Sequence, residues 1–358
     1  MATPRSTAVT LHDVAREAGV SLATASRALN GSSRTVNDEY RQRVAAAALK
    51  LNYTTNLSAQ AVAKGSTTSV ALLVGDIADP YFSSIAAGVI KGAEAAGLIV
   101  TMSVTERSPE RELGLVRALR GQRPRVIILA GSRSSSEEHQ SALAAELEAF
   151  EANGGRVVFV SQHELPFDTV RIDNYGGARA LAESLVSLGY TRFAAITGET
   201  ALLTATDRLA GFRDGLAEHG IEIPADRIVA GAFTRDGGYD SAIELADRGL
   251  AGTGLAGTEL AGTELVFAVN DVMAIGAMSG LRSRGIEPGR DIAIAGFDDI
   301  QTVRDVTPAL TTVAIPLFEV GESALAVALR PREADAERDL AVATSVVLRA
   351  STPGVPAR

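Results

Sequence analysis

The sequence predicts an α/β protein in which a short helical head precedes a core of two doubly wound parallel-sheet lobes. Two observations indicate this division. Residues 11–30 carry apolar side chains at helical spacing, whereas from Ser69 onward short apolar runs alternate with helical segments. Such alternation is typical of βαβ units, which form parallel sheets covered by helices. At 358 residues the chain is long enough for more than one hydrophobic core.

Two short helices joined by a tight turn are predicted at the start of the head. One face of the first helix is apolar and consists of Leu11, Val14, Ala15 and Ala18. Gly19 ends that helix, and Ser21 is a good N-cap for the next, because its hydroxyl accepts from free backbone N–H groups. The pattern indicates a helix-turn-helix, whose second helix enters the DNA major groove. An ordinary helical hairpin is the alternative.

The net charge of −9 hides an asymmetry between head and core. Residues 1–66 carry eight Lys or Arg against four Asp or Glu, so the head is basic and the remainder strongly acidic. This distribution indicates phosphate contact by the head alone. The chain has no Cys, which excludes disulfides and thiolate metal sites. It shows no apolar run long enough for a signal peptide or membrane span, so we expect a cytoplasmic protein.

The head resembles the N-terminal region of the lactose-repressor (LacI) family of bacterial transcription regulators. The matching positions are Val9-Thr10-Leu11, Asp13-Val14-Ala15, Ala18-Gly19-Val20-Ser21, Thr24, Ser26-Arg27 and Leu29-Asn30. The resemblance implies a DNA-binding domain over residues 1–55 and a hinge helix over 56–66. It also implies a set of DNA contacts, namely Thr10, Ser21, Leu22, Ala23, Thr24, Ser26, Arg27, Asn30, Tyr53, Asn56 and Val62.

Residues 56–66 follow a third predicted helix, which starts after Asn37 and ends at Asn52-Tyr53. Their polar and small side chains alone favour a linker. In the family this segment pairs across a dimer in the minor groove, where a leucine of each chain wedges into the central base step. The alignment gives Val62 at that position and Thr55 where the family usually has proline.

The core is predicted to span residues 67–350, and its strands fall into two series. The first series consists of 70–74, 98–104, 126–129 and 157–160. The second consists of 170–172, 193–197, 228–230, 265–269 and 292–295. The resemblance implies a periplasmic-binding-protein-like core in which the chain crosses repeatedly between lobes. We therefore expect an N-lobe of about 67–169 and 300–329, and a C-lobe of about 170–299 and 330–350.

Residues 250–264 are three tandem copies of a five-residue unit, Leu-Ala-Gly-Thr followed by Gly or Glu. A period of five matches neither a helix nor a strand, and it is shorter than a solenoid repeat. We interpret the segment as an insertion in a surface loop.

Enzymatic chemistry has no candidate residues in this sequence. There is no G-x-G-x-x-G after the first strand, no Walker loop and no G-x-S-x-G elbow. The four histidines are scattered without the spacing of metal ligands or a catalytic triad. We expect no catalytic residue, no metal and no cofactor.

Ligand binding is the chemistry that the loops after the strands favour. Open α/β sheets bind ligands at the carboxyl ends of their strands, and these loops hold aromatic, amide, hydroxyl and charged side chains. Three runs, 208–212, 270–277 and 296–299, resemble family motifs whose Arg, Asn and Asp contact the effector. The predicted ligand site consists of Tyr81, Phe82, Ser161, Thr204, Arg208, Phe233, Asn270 and Asp298. The family often has a carboxylate where Ser161 stands, so we expect an effector other than the best-known ones.

The sequence thus predicts a transcription factor, most often a repressor in this family, that a small polar effector controls. It is expected to act as a homodimer or tetramer on a pseudo-palindromic operator, because each head reads one half-site. A sugar or sugar derivative is the first expectation for the effector, and a nucleoside or purine the alternative. A soluble sugar-binding protein and an enzyme are the rival functions.

Overall fold

The computed structural model describes residues 9–30, 36–54, 67–199, 201–249, 262–331 and 339–355. The chain divides into two compact units, Met1–Thr67 and Thr68–Arg358. The hinge segment 56–66, with Asn56 and Val62, lies outside the described residues, as does most of the pentapeptide repeat. No helix within the described ranges has the length and apolar character needed to span a bilayer.

The first unit contains three helices, α1 Leu11–Ala18, α2 Leu22–Asn30 and α3 Asp38–Lys50. Gly19 ends α1 with a φ of +63°, a conformation that L side chains rarely adopt. The hydroxyl of Ser21 accepts from the backbone N–H of Thr24 at 3.1 Å, so the predicted N-cap of α2 is confirmed. The core between the helices consists of Val14, Ala15, Ala18, Ala25, Val44 and Ala47.

The second unit alternates strands and helices along most of its length. Its strands are β1 Ser69–Val74, β2 Ile99–Val104, β3 Val126–Ala130, β4 Arg156–Ser161, β5 Asp168–Ile172, β6 Phe193–Thr197, β7 Ile228–Ala230, β8 Leu265–Ala268, β9 Ala293–Ala295, β10 Thr312–Ala314, β11 Asp339–Val342 and β12 Ser345–Val347. Its α-helices are α4 Pro80–Ala95, α5 Pro109–Gln122, α6 Glu137–Ala152, α7 Asn174–Ser187, α8 Leu203–Ala217, α9 Arg235–Asp247, α10 Asp271–Ser283 and α11 Leu317–Leu329. Short 3₁₀ helices occupy Ala225–Arg227 and Gln301–Arg304.

Six parallel strands form the sheet of the N-lobe in the order β11-β5-β4-β3-β1-β2. Successive side chains of a strand point to opposite faces. Accordingly, Val70 and Leu72 belong to the core that includes side chains of α4 and α11, whereas Ala71 and Leu73 belong to a separate cluster with side chains of α5 and α6. Both faces of β1, β3 and β4 are buried, which explains the nearly continuous apolar runs of these strands in the sequence.

Four parallel strands form the sheet of the C-lobe in the order β7-β6-β8-β9. The short strands β10 and β12 pair antiparallel beside it. One hydrophobic cluster of buried side chains extends through both lobes. The α/β architecture with parallel sheets, which the alternation predicts, is therefore confirmed.

The expected boundaries between the lobes are wrong at three places, namely residues 170–172, 300–314 and 339–342. Residues 168–172 belong to the N-lobe sheet, because β5 pairs with β4 and β11 pairs with β5. Residues 300–314 stay with the C-lobe, since Thr311 bridges Ala295 and β10 pairs with β12. The N-lobe therefore takes back α11 and β11, instead of residues 300–329. An apolar run in the sequence predicts that a strand forms. Which of the two sheets that strand joins depends on the strand with which it hydrogen-bonds, and the sequence pattern does not give this partner.

The end of the pentapeptide repeat is described, and it contacts the C-lobe sheet. Thr263 is buried, and the carboxylate of Glu264 accepts from the backbone N–H groups of Thr191 and Arg192 at 2.8 and 3.2 Å. These contacts anchor the last repeat unit next to β6 and β8. The surface-loop interpretation stays a prediction for residues 250–261, which lie outside the described ranges.

Candidate functional site

A cavity of about 180 Å³ lies between the two lobes of the second unit. It is lined by residues that follow β1, β2 and β3 in the N-lobe and by residues that follow β6, β8 and β9 in the C-lobe. This is the position at which open parallel sheets bind ligands. A single water needs only about 10–15 Å³ of such volume, so the cavity is large enough for a small ligand.

Arg208 on α8 is almost fully buried, and its guanidinium is held from several sides. Its Nε donates to Asn174 Oδ1 and its Nη1 to the carbonyl of Val269, both at 2.8 Å. The guanidinium carbon lies 3.9 Å from the ring centroid of Phe297. These contacts fix one planar orientation of the side chain. Arg208 therefore forms a rigid charged wall of the cavity.

Asp298 lies in the loop after β9 and pairs directly with Arg208, with 2.8 Å between Oδ1 and Nη2. Both residues belong to the C-lobe. The Arg208 guanidinium is therefore the charged partner of this buried carboxylate oxygen.

The environment of Asp298 also changes its protonation. Burial raises the pKa of Asp298 to about 7, while the Arg208 charge acts in the opposite direction and Asp79 adds to the rise. The backbone of Asp298 has a φ of +121°, and that of Asp299 has +54°. Such values are uncommon for residues other than glycine. The loop turns Asp299 away from the cavity, where its carboxylate pairs with Arg349 and Arg304 at 2.6 and 3.0 Å.

Asn270 and Asp271 fix the loops of the C-lobe at the start of α10. Asn270 is the N-cap, and its Oδ1 accepts from Met273 N at 2.9 Å. The fully buried carboxyl group of Asp271 accepts from Thr312 Oγ1 at 2.6 Å and from Ile300 N at 3.0 Å. Burial, with a further contribution from Asp298, raises the pKa of Asp271 well above its usual value. Asp271 therefore ties the loop that carries Asp298 to α10.

The N-lobe wall begins with Asp79, the N-cap of α4, which accepts from Tyr81 N at 3.0 Å. The rings of Tyr81 and Phe82 follow in the first turn and pack edge to face, 4.9 Å apart. Burial raises the pKa of Asp79, although the Arg107 charge lowers it. Burial likewise raises the pKa of Tyr81, which stays a neutral hydroxyl. This wall combines two aromatic rings with a carboxyl group.

Arg107 is a cavity residue that sequence reasoning missed. It lies in the loop after β2, where Nη2 is 3.2 Å from Asp79 and Nη1 is 3.3 Å from Asp76. Its guanidinium lies 5.8 Å from the ring of Phe82 and 6.0 Å from that of Phe233, and so contacts both lobes. Ligands of open parallel sheets bind in the loops after the strands, and this expectation covers Arg107 too, because it lies in the loop after the predicted strand 98–104.

Direct hydrogen bonds join the two lobes beside the cavity. Gln162 Nε2 donates to Thr204 Oγ1 at 2.9 Å and to Asp207 Oδ2 at 3.2 Å. Ser132 Oγ accepts from Thr204 N at 3.0 Å, and the carbonyl of Arg133 accepts from Leu203 N at 3.1 Å. We call this set the inter-lobe bridge. It contains polar groups that stabilise the closed arrangement of the lobes.

The structure brings seven of the eight predicted ligand residues together. The cavity is lined by Tyr81, Phe82, Thr204, Arg208, Phe233, Asn270 and Asp298. Ser161 does not line it, because its hydroxyl is buried and donates to the carbonyl of Gly131 at 2.5 Å. Sequence reasoning also missed a group of N-lobe residues that line the cavity, namely Thr105, Ser108, Glu112, Arg133, Ser134, His139 and Gln140. Several of these lie on helices, away from the ends of strands.

In the head, α2 exposes the side chains on which DNA reading would depend. Ser21, Leu22, Ala23 and Arg27 are exposed, as is Thr10 before α1, whereas Thr24 and Ser26 are half-buried. Tyr53 is half-buried and packs against the core of the head. Asn30 is the last residue of α2. Arg27 is the long cationic donor on the exposed face of α2.

Comparison with known proteins agrees with both units. Residues 10–56 match the family model of bacterial regulatory proteins of the lacI family, and residues 182–352 match that of a periplasmic binding protein-like domain. The chain is 32% identical over 312 residues to the HTH-type transcriptional regulator DegA of Bacillus subtilis (strain 168), which covers 87% of this chain and 88% of DegA.

Solved structures show the same fold over nearly the whole chain. The lac repressor dimer bound to operator and the anti-inducer ONPF superposes with a TM-score of 0.77 and 26% identity, covering 97% of this chain and 99% of that one. A complex of the transcriptional regulator CelR with cellobiose gives 0.66 and 26%, covering 96% and 99%. The chain therefore belongs to the lacI family of bacterial regulatory proteins and is a DNA-binding transcriptional regulator with a periplasmic-binding-protein-like core.

Proposed function

We propose that this protein is a cytoplasmic, homodimeric repressor whose operator binding is controlled by a small, neutral, polar ligand, a sugar or sugar derivative. The observation that carries the proposal is the buried pair of Arg208 and Asp298 in the wall of the inter-lobe cavity, with 2.8 Å between Nη2 and Oδ1. Sugar hydroxyls suit such a neutralised pair of charged groups, while the rings of Phe82 and Phe233 offer contact to the apolar faces of the sugar. The cellobiose complex of the related CelR supports this ligand class.

Neutrality of the ligand follows from the charges around the cavity. Arg208 is paired with Asp298, and Arg107 with Asp79 and Asp76. A phosphate or carboxylate would have to compete with these carboxylates for the same guanidinium groups. A ligand hydroxyl need not break these ion pairs, because it can use the carboxylate lone pairs and guanidinium N–H groups that the ion pairs leave available. A nucleoside is the second ligand class, because aromatic rings from both lobes line the cavity and suit a planar base.

DNA reading is assigned to the exposed residues of α2, with Arg27 as the base-reading donor. Leu22 and Ala23 offer apolar contact, for instance to thymine methyl groups. We assign the minor-groove contacts to Asn56 and Val62 of the hinge segment. A two-fold dimer then requires a pseudo-palindromic operator, and the dimer of the related lac repressor on its operator supports this assembly.

The experiment combines operator selection with ligand titration. An operator is selected from a random duplex library, and its binding is measured at fixed salt with glucose, galactose, ribose, cellobiose, adenosine or cytidine. We expect one of these to bind in calorimetry and to change operator affinity by about 5- to 150-fold. Asp298→Ala should lose ligand binding and keep basal operator binding. The control Asp305→Ala changes an exposed carboxylate of the same lobe and should behave like the wild type.

Three outcomes would contradict the proposal. A protein that binds the sugar but no duplex is a sugar-binding protein. Consumption of the sugar during the titration indicates an enzyme. If Asp298→Ala binds the ligand as tightly as the wild type, the ligand site lies elsewhere.

A further inference from the structure

The turn after β2 carries Arg107 to the wall of the cavity. Glu106 and Arg107 have φ values of +55° and +56°. Such values are uncommon for residues other than glycine, and the contacts of the surrounding structure must offset their cost in free energy. In this turn Arg107 is half-buried and lines the cavity. A strained turn that carries a charged side chain to a cavity wall points to a role for that side chain.

The N-lobe fixes the position of the Arg107 guanidinium. It pairs with Asp76 at 3.3 Å and with Asp79 at 3.2 Å, and it lies 5.8 Å from the ring of Phe82. Gly75 leaves room for both side chains, because a Cβ there would lie 2.9 Å from Phe82 Cζ and 3.3 Å from Arg107 Cγ. All these partners belong to the same lobe as Arg107. They hold the guanidinium in place whether or not the C-lobe is near.

The C-lobe contributes one further contact to Arg107, the ring of Phe233. The guanidinium carbon lies 6.0 Å from the centroid of this ring. The ring itself packs on Gly198, the residue after β6, where a Cβ would lie 2.5 Å from Phe233 Cδ2. A cation within about 6 Å of an aromatic ring is attracted to it, and the attraction grows when water is excluded. Because Arg107 and Phe233 belong to different lobes, this contact requires the lobes to be closed.

We propose that Arg107 is a positioning residue that latches the two lobes together through its contact with Phe233. Its ion pairs with Asp76 and Asp79 orient the guanidinium in advance, so little freedom is lost when the C-lobe ring meets it. The latch sets the fraction of closed protein on which a ligand acts. This inference goes beyond the proposed function, since it concerns the lobes without ligand and holds for any ligand class.

Two backbone amides report directly on separation of the lobes. The first N–H groups of a helix have no acceptor within that helix. At the start of α8, Leu203 N donates to the carbonyl of Arg133 at 3.1 Å and Thr204 N to Ser132 Oγ at 3.0 Å, and both acceptors lie in the N-lobe. We call Leu203 N–H and Thr204 N–H the inter-lobe amides. By contrast, Val269 N donates within the C-lobe, to a carbonyl of β6 at 3.0 Å.

The test measures hydrogen–deuterium exchange of the full-length, ligand-free protein by mass spectrometry with residue-level fragmentation. In Arg107→Leu and in Phe233→Leu the inter-lobe amides should exchange about 2- to 30-fold faster than in the wild type. The amide of Val269 should keep its rate, because the C-lobe sheet is intact. The double variant should be no faster than the faster single variant, since both substitutions remove the same contact.

Arg117→Leu is the matched control. Arg117 is an exposed arginine of α5 that pairs with Glu146 of the same lobe and does not line the cavity. Its inter-lobe amides should exchange at the wild-type rate.

Three outcomes would overturn the latch. The first is unchanged exchange of the inter-lobe amides in Phe233→Leu. The second is equal acceleration of the Val269 amide, which would make the effect a general loss of stability. The third is multiplication of the two effects in the double variant. Phe233→Leu keeps the ion pairs of Arg107, so it decides the question even if Arg107→Leu fails to fold. None of these results bears on the proposed function, which the ligand and operator titrations test separately.

Discussion

At the scale of single residues, Asp298 combines a buried carboxyl group, a backbone φ of +121° and contact with Arg208. The sequence predicted this residue because it ends the Gly-Phe-Asp motif after a strand. It did not predict that the carboxyl group would be buried against Arg208 in the same lobe. That contact needs α8 and the loop after β9 to meet, although they are some 90 residues apart in the sequence.

The raised pKa of Asp298 predicts a pH dependence of stability. Burial raises this pKa from the usual 3.8 to about 7, so the folded state binds the proton more tightly than the unfolded state. The stabilisation is complete below pH 3.8 and is lost as the pH rises through about 7. Compared with Asp298→Asn, the wild type should therefore lose about 2 kcal/mol of unfolding free energy between pH 5 and pH 8.

Urea unfolding at the two pH values measures this difference. Asp305→Asn, which changes an exposed carboxyl group, should follow the wild-type profile. Parallel profiles of the wild type and Asp298→Asn would show that this carboxyl group has no raised pKa.

Arg27 gives the prediction for DNA reading at the residue scale. Its side chain is exposed on α2, and a guanidinium suits bidentate contact with a guanine edge. Arg27→Ala should lose about 1–3 kcal/mol on the selected operator and relax preference at one base pair per half-site. Fluorescence anisotropy with operator and random duplexes at one salt concentration measures both. Equal losses on the two duplexes would indicate a phosphate contact.

At the scale of elements, the packing of α4 against α11 depends on two glycines. A Cβ at Gly88 would lie 2.0 Å from the carbonyl oxygen of Phe318, and one at Gly321 would lie 2.1 Å from that of Ile85. The two helix backbones therefore approach each other more closely than any side chain allows. The alternation of strands with helices predicted a helix between β1 and β2, but the neighbour of its glycine face became known only from the fold.

This packing predicts opposite effects of one substitution at two sites. Gly88→Ala should lower the unfolding free energy by about 1–3 kcal/mol, because the helices must move apart. Gly114→Ala should raise it by about 0.5–1 kcal/mol, because α5 is exposed there and a Cβ meets no atom within 4 Å. Urea unfolding of both variants measures the changes. A destabilised Gly114→Ala or a neutral Gly88→Ala would contradict this packing.

At the scale of the whole molecule, the inter-lobe bridge joins the two lobes on either side of the cavity. Gln162 is buried and donates from the N-lobe to Thr204 and Asp207 of the C-lobe. A ligand controls DNA binding only if its affinity differs between two lobe arrangements. The bridge favours the closed arrangement, in which both walls of the cavity are complete.

Loss of the Gln162 hydrogen bonds should therefore weaken ligand binding, although Gln162 itself does not line the cavity. Gln162→Leu removes the donor, lowers the population of the closed arrangement and should reduce the affinity for the best sugar of the panel by about tenfold. Small-angle scattering of the ligand-free variant should show a larger radius of gyration. Gln301→Leu, at an exposed position of the C-lobe, is the control. Unchanged affinity and radius in Gln162→Leu would show that the bridge does not hold the lobes.

The sequence by itself determined the features that are local in the chain. Helical spacing, the caps at Ser21 and Gly19, and the alternation of strands with helices predicted the helix-turn-helix and the α/β core. The rule that parallel strands share a carboxyl edge predicted that residues of the loops after the strands would line one cavity, and seven of the eight predicted ligand residues do so. Only the tertiary structure decided which sheet residues 168–172 join, where Arg208 finds its partners, and that Arg133 and Gln140 line the same cavity. These depend on contacts between residues far apart in the sequence, and no local pattern of apolar and polar residues specifies such contacts.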